Sequence, residues 1–363
     1  MNILILTTHL NPGGISRYVI NLAKGLKLKR QRIWVAASGG EWVRQLADAG
    51  VFCKLIPIDT KSIISPKIPL SFLSLAPLLS AEQFDVIHAN TRVTQCLAHF
   101  ICRARGIPYV SAFHGFYEGM GRKLFKFAGQ SSIAVSNSVK EHLVKDFGFS
   151  ADRVRIVYNG LDAKDFPPKD PAARKELGFK PNEFVIGLLG RISEEKGHLL
   201  AAEAFAALGP RFINARLLVS GEGRLKSKLC KFINDAELQE RVKVVNVEAN
   251  KFFDCADLFL MPSSKEGFGF TIVEAFLKKI PVIGFDVGGI SEVIKNGQNG
   301  LLFYEYDSLA LKNVMEKMID DRNLREKLVA QAYIDAGAYT LERMAEQTLD
   351  VYGQAREALA SGG

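Results

Sequence analysis

The chain has 363 residues, 48% of them hydrophobic and 24% charged, which excludes a disordered chain and suits two α/β domains better than one core. Its five cysteines, Cys53, Cys96, Cys102, Cys230 and Cys255, are odd in number, widely spaced and without a CxxC pair, which argues against a disulfide framework and a zinc site and fits a reduced, cytoplasmic compartment. The net charge of +8 is uneven: residues 1–168 carry 21 Lys and Arg against 11 Asp and Glu, and the other 195 carry 26 against 28. A basic first half predicts an acidic partner, a membrane surface or anionic acceptor rather than nucleic acid, whose motifs are missing; the alternative is a generically basic surface.

Met1-Asn2 leads straight into apolar residues 3–6, a stretch too short for a signal core and without a basic leader. Buried strands are predicted at 3–7, 32–37, 51–57, 86–89, 109–112, 132–135 and 155–158. Amphipathic helices are predicted at 16–28, 41–49, 95–105 and 140–147. The longest apolar stretch, 63–79, is interrupted by Pro66, Lys67, Pro69 and Pro77, so no transmembrane helix is expected. Alternating strands and helices imply a parallel sheet covered on both faces.

The pattern breaks over 162–182, where Pro167, Pro168, Pro171 and Pro181 crowd a polar stretch. It restarts with strands at 184–190, 215–220, 242–245, 258–261 and 282–285. Two doubly wound domains joined near residue 168 are the simplest reading. Helices at 309–318 and 323–336 follow. A last helix, 340–359, would take Thr340 as N-cap, with Glu342 one residue early for a capping box.

Ligands of open parallel sheets bind at the carboxyl ends of the strands, so the loops there carry the chemistry. The first is Asn11-Pro12-Gly13-Gly14-Ile15-Ser16-Arg17. Two glycines before a helix let backbone N–H groups approach a phosphate, although a plain tight turn uses the same residues. The loop is not GxGxxG, which counts against NAD. His114, in Ala112-Phe113-His114-Gly115-Phe116, follows a strand and could bond a sugar hydroxyl or reacting oxygen; a structural histidine is the alternative. In Gly190-Arg191-Ile192-Ser193-Glu194-Glu195-Lys196-Gly197, Arg191 and Lys196 stand at a strand–helix turn where they could neutralise a diphosphate.

The most specific segment is Ser263-Ser264-Lys265-Glu266-Gly267-Phe268-Gly269-Phe270-Thr271-Ile272-Val273-Glu274-Ala275. A strand, a Gly-containing loop and a helix starting near Thr271 would aim N–H groups of residues 269–272 at an anion. Glu266 would then accept from sugar hydroxyls, and Glu274, about one turn into the helix, could reach a ribose. Solvated carboxylates around a shaped turn are the bland alternative. A glycosidase pair would not need a phosphate cradle.

In this order, with Asn159-Gly160-Leu161-Asp162, Gly288-Gly289-Ile290-Ser291-Glu292 and Asn299-Gly300-Leu301-Leu302, the motifs resemble the retaining GT-B glycosyltransferases of family 4 over nearly the whole chain. The resemblance implies two Rossmann-like domains facing a cleft that closes on its substrates: 1–168 on the acceptor side, 169–339 for the nucleotide sugar, and 340–363 crossing back to the first. It implies a UDP-sugar or GDP-sugar donor and no cofactor. Arg191 and Lys196 would hold the diphosphate and stabilise the leaving group in place of a metal. Glu266 would hold the transferred sugar, with Gly267, Phe268, Gly269, Phe270 and Thr271 around it, and Glu274 the ribose. Gly14 would lend N–H to the phosphate side. His114 would lie near sugar and acceptor, with Asn11, Arg17 and Tyr117 on the acceptor side. The departing phosphate oxygen would help deprotonate the acceptor.

Two departures stand out. Residues 244–251 form a short connection where the family often lines its base pocket, so the base is not carried over. In Val219-Ser220-Gly221-Glu222-Gly223-Arg224, Arg224 stands where proline is common. For the acceptor, Arg122-Lys123-Leu124-Phe125-Lys126-Phe127 sets cations beside aromatics, suited to anionic headgroups or to an ordinary surface helix. Residues 61–77 are a second candidate lip. A glycan or lipid-linked acceptor in polysaccharide or lipopolysaccharide synthesis follows, at the inner face of the cytoplasmic membrane. An epimerase of the same fold and a silent assembly partner are the alternatives.

Overall fold

The computed structural model describes residues 1–117 and 127–361. They fall into two compact units. One comprises Met1–Asp162 with the segment from Tyr339 onward, and the other is Ala163–Ala338.

The first unit is built on seven parallel strands: β1 (Asn2–Leu6), β2 (Arg32–Ala37), β3 (Phe52–Leu55), β4 (Val86–Ala89), β5 (Tyr109–Phe113), β6 (Ser131–Ala134) and β7 (Val154–Ile156). Their order in the sheet is β3-β2-β1-β4-β5-β6-β7. Helices α1 (Gly14–Leu28), α2 (Val43–Asp48), α3 (Lys67–Ala81), α4 (Arg92–Arg105) and α5 (Asn137–Phe147) connect them. The central strands are apolar and buried on both faces because helices cover both. Order reverses between β1 and β4, so the loops leaving those strands splay apart and open a crevice at their carboxyl ends.

α3 departs from the sequence reading. Pro66 is its N-cap and Pro69 lies in its first turn, where a missing N–H costs nothing, while Pro77 is accommodated inside the helix. Ile68, Ser71, Leu75, Leu78 and Leu79 face inward, and Ile64, Leu70 and Leu73 stay exposed. Among the described residues no helix is long and apolar enough to cross a membrane.

The second unit carries α6 (Ala172–Glu176), β8 (Phe184–Leu189), α7 (His198–Ala206), β9 (Ala215–Ser220), α8 (Lys226–Asp235), β10 (Val242–Val245), α9 (Ala249–Cys255), β11 (Leu258–Met261), α10 (Phe270–Leu277), β12 (Val282–Phe285), α11 (Gly288–Val293), β13 (Leu301–Phe303), α12 (Ser308–Asp320) and α13 (Arg322–Ala336). Its sheet is parallel, in the order β10-β9-β8-β11-β12-β13. β13 is a sixth strand that the sequence reading did not separate from its motif. The switch point lies between β8 and β11. The proline-rich stretch belongs to this unit: Lys278 Nζ donates to the Pro167 carbonyl at 2.7 Å and Asn250 Nδ2 to that of Asp165 at 2.9 Å.

The last helix, α14 (Leu341–Ala360), returns to the first unit. Thr340 caps it, its hydroxyl accepting from the Arg343 N–H at 3.2 Å. α14 lies against α1 at Gly25, where any Cβ would run into the Leu341 carbonyl and Ala345. Gly160 makes the same close approach at Thr340, and its N–H points to Met344 Sδ at 3.2 Å.

Candidate functional site

In the second unit, the loops on either side of the switch point are locked together by glycines. Gly190, at φ 139°, ends β8 and hydrogen-bonds to the Ser220 carbonyl at 3.0 Å. Side chains at Gly221 and Gly223 would collide with the backbone of Gly190 and Ile192, so Gly-Glu-Gly follows the β8 loop closely. Ser193 precedes one 3-10 turn, Glu194–Lys196, which ends at Gly197 in the left-handed conformation. Gly197 packs on the Pro262 carbonyl with no room for a Cβ. The Ser264 N–H donates to the Glu195 carbonyl at 2.9 Å.

These contacts bring Lys196 Nζ to 2.5 Å from Glu266 Oε2, both side chains largely buried. The Gly289 N–H donates to the Glu266 carbonyl at 2.9 Å, and Gly289 leaves no space between itself and Gly267-Phe268. Loops after β8 and β12 therefore converge on Glu266 in the loop after β11, the first at its carboxylate and the second at its main-chain carbonyl. Arg191 is exposed and pairs with Glu195 at 3.1 Å. Burial alone would raise the Glu195 carboxyl, but bonds from Ser193 and the backbone, with Arg191 and Arg224, hold it below the ordinary range.

Gly269, at φ 93°, caps α10 in the left-handed region that favours glycine, so the N–H groups of the first turn face the same loop. The Phe268 and Phe270 rings meet edge-on at 5.6 Å. Thr271 Oγ1 lies 3.6 Å from Met261 Sδ. Glu274 is buried on α10. A residue that sequence reasoning missed is His198, directly after the Lys196-Gly197 turn. It is buried, neither ring nitrogen has a hydrogen-bond partner, and burial, with Lys196 beside it, draws its pKa down to about 4.

In the first unit, the β1 loop is braced by the Leu10 N–H to the Gly39 carbonyl at 2.8 Å and by Ser16 Oγ to the His9 carbonyl at 3.3 Å. Asn11 Oδ1 accepts from the Glu41 N–H at 3.4 Å. α1 begins at Gly14, and a Cβ there would meet open space; Arg17 closes the first turn through its N–H to the Gly13 carbonyl at 3.0 Å. His114, half-buried after β5, has Nε2 3.2 Å from Asn90 Oδ1, at the end of β4. Its ring meets Tyr18 edge-on at 4.4 Å. Burial lowers its pKa to about 3, so the ring is neutral.

Tyr117 packs its ring on Phe113, and its N–H donates to His142 Nε2 at 3.0 Å. His142 therefore carries its hydrogen on Nδ1, 2.6 Å from Asp146. Residues 122–126 of the basic aromatic stretch lie outside the described residues, and of its six only Phe127 is described. His88, Asn90, Tyr18 and Tyr352, grouped behind His114, were not singled out by sequence. A histidine inside the apolar run of β4 was the available signal.

The β8-to-β13 unit offers two cations, a carboxylate and a helix N-terminus around one switch point, which suits an anhydride-linked diphosphate. Residues 12–165 match the family described as Glycosyltransferase Family 4, and residues 169–335 match Glycosyl transferases group 1. A D-inositol 3-phosphate glycosyltransferase of Paenarthrobacter aurescens is 30% identical over 299 residues, 75% of this chain and 73% of its own. The Escherichia coli UDP-Gal:alpha-D-GlcNAc-diphosphoundecaprenol alpha-1,3-galactosyltransferase is 27% identical over 310 residues, 78% of this chain and 80% of its own. Among solved structures, Anabaena HepE in complex with UDP and glucose superposes with TM-score 0.81 at 23% identity, covering 96% of this chain and 98% of that one. The chain belongs to the group 1, family 4 glycosyltransferases, a retaining family of GT-B fold that uses nucleotide sugars.

Proposed function

We propose that the chain moves a hexose or related sugar from a UDP-sugar to a phosphate-bearing glycan or lipid-linked acceptor during cell-surface polysaccharide or lipopolysaccharide synthesis. The observation that carries this reading is the Lys196–Glu266 pair, 2.5 Å apart beside the N-terminus of α10. Lys196 and Arg191 neutralise the donor diphosphate and the charge that develops on it as the sugar leaves, without a metal. Glu266 accepts from hydroxyls of the transferred sugar, backbone N–H groups over 267–271 face the phosphate, and Glu274 serves the ribose. Gly14 gives N–H to the phosphate side. His114 serves the sugar and acceptor, and Asn11, Arg17 and Tyr117 the acceptor. The acceptor oxygen bonds to the anomeric carbon as the bond to phosphate breaks, and its proton passes to the departing phosphate oxygen.

UDP is favoured by the E. coli relative's UDP-Gal and by the complex of HepE with UDP and glucose. A phosphate-bearing acceptor is favoured by the diphosphoundecaprenol and inositol 3-phosphate in the relatives' names and by the excess of 10 positive charges over residues 1–168. Exposed Ile64, Leu70 and Leu73, in a stretch without acids from 61 to 81, suit a peripheral contact with an anionic membrane. Titration against UDP-, GDP- and ADP-sugars with a chelator present tests the donor. Stabilisation by a UDP-sugar alone is expected, with Glu266→Ala lowering transfer at least a hundredfold while the protein stays folded. Wild-type turnover in Glu266→Ala would sink the site assignment.

A further inference from the structure

His88 lies in β4 with no exposed surface, and both of its ring nitrogens have partners. Nε2 is 3.3 Å from the Tyr18 hydroxyl and Nδ1 2.9 Å from the Tyr352 hydroxyl. Burial first, and the neighbouring His114 second, hold this ring neutral with a pKa down to about 3. A neutral imidazole has one donor and one acceptor, so one tyrosine gives it a hydrogen and the other receives one. Both tyrosines are themselves fully buried, which keeps water from competing for either bond.

Asn90 turns its amide nitrogen to the Leu6 carbonyl at 3.2 Å, which leaves its Oδ1 facing His114 Nε2. An amide oxygen only accepts, so His114 carries its hydrogen on Nε2 and keeps a lone pair on Nδ1. The ring of Tyr18, whose hydroxyl His88 holds, is also the wall against which the His114 ring stands, 4.4 Å away at 70°. Tyr352 belongs to α14. One element, arriving last in sequence, thus reaches His114 through a hydrogen bond, a second hydrogen bond and a ring contact.

We propose that Asn90, Tyr18, His88 and Tyr352 are positioning residues that hold His114 as its Nε2–H tautomer, presenting Nδ1 as a hydrogen-bond acceptor for a ligand hydroxyl. This rests on the reading of His114 as a sugar- or acceptor-side residue. Asn90 selects the tautomer, and the tyrosine–histidine–tyrosine chain fixes the ring plane. A protonated imidazole, or the Nδ1–H tautomer, would offer a donor in place of that lone pair.

The test is a long-range proton–nitrogen spectrum of the full chain labelled in its imidazole nitrogens, with His114 assigned by the signals lost in His114→Gln. The Nε2–H pattern is expected in the wild type. Tyr352→Phe should shift the His114 signals and lower kcat about tenfold, with UDP affinity unchanged. Tyr18→Phe keeps the ring and its volume, and carries the same two readouts if Tyr352→Phe fails to fold. A role in packing alone would lower the melting temperature and leave the His114 shifts and kcat of the tyrosine variants at their wild-type values, which overturns the proposal; so does an Nδ1–H pattern in the wild type. Wild-type transfer by His114→Gln would instead overturn the reading of His114 as a site residue. The two failures are distinguishable because the spectrum is read without substrate.

Discussion

At the scale of single residues, Lys196, paired with Glu266, and His198 stand on either side of Gly197 and differ in what they ask of the solvent. The pair satisfies its own charges. His198 has neither charge nor hydrogen bond, and is kept neutral by burial. A histidine whose folded pKa lies near 4, below the ordinary 6.5, binds its proton more readily when unfolded. Its contribution to stability is therefore complete above pH 6.5 and is lost as the pH falls toward 4. Between those limits one such group gives a slope of about 1.4 kcal/mol per pH unit. Urea unfolding of the second unit at pH 7 and pH 5 should show it, and His198→Leu should remove that share of the slope. An unchanged slope in the variant would assign the acid sensitivity elsewhere. The turn itself was legible in the sequence because Gly-Arg closing an apolar strand is conspicuous; the burial of His198 was not, because one histidine at the start of an apolar helix has no pattern to betray it.

At the scale of elements, two glycines of α1 have opposite surroundings. A side chain at Gly25 would strike the backbone of α14, whereas one at Gly14 would enter open space. Gly25→Val should cost roughly 1–3 kcal/mol of stability in the first unit, by overpacking a helix contact that cannot separate locally. Gly14→Ala should change stability by less than about 0.5 kcal/mol and still reduce transfer, if backbone must come up to a phosphate there. Denaturant unfolding and turnover, measured on both variants, separate the two roles; wild-type turnover in a stable Gly14→Ala would remove Gly14 from the site. Strands were the readable elements, since each is a short apolar run ending at a loop, and nearly all were located to within a residue or two. α3 was not readable: three prolines hid it, although the first two occupy positions where a helix needs no N–H. β13, three residues long, begins inside the Asn299-Gly300-Leu301-Leu302 motif and was read with that motif and not as a strand of its own.

For the whole molecule, both sheets reverse order beside their first strand, and the loops after β1, β8 and β11 picked out by sequence leave strands that flank those reversals, whereas the His114 loop leaves β5, one strand further on. That is why the candidate donor residues could be named without coordinates, while the group behind His114 could not. The first follow local glycine punctuation; the second joins β4, α1 and α14 across 264 positions of sequence. The uneven charge belongs to this scale too. Exposed cations with few carboxylates among them should bind anionic vesicles, and the binding should weaken steeply between 50 and about 300 mM salt as the screening length shortens. Cosedimentation with phosphatidylglycerol and with neutral vesicles checks this, and equal binding to both would remove the electrostatic contribution.

The return of α14 also bears on how the protein is made. Residues 163–338 are contiguous, so the second unit has all of its strands as soon as that stretch leaves the ribosome. The first unit begins to emerge earlier but lacks the helix 341–360 until the whole of the second unit has been made. Until then the surfaces around Gly25 and Gly160, and the His88 imidazole, wait for Leu341, Thr340 and Tyr352. The usual order of folding during synthesis, amino-terminal domain first, is thereby inverted: the half translated first is the half finished last. A nonsense mutation near residue 340 leaves the second unit complete and the first one open.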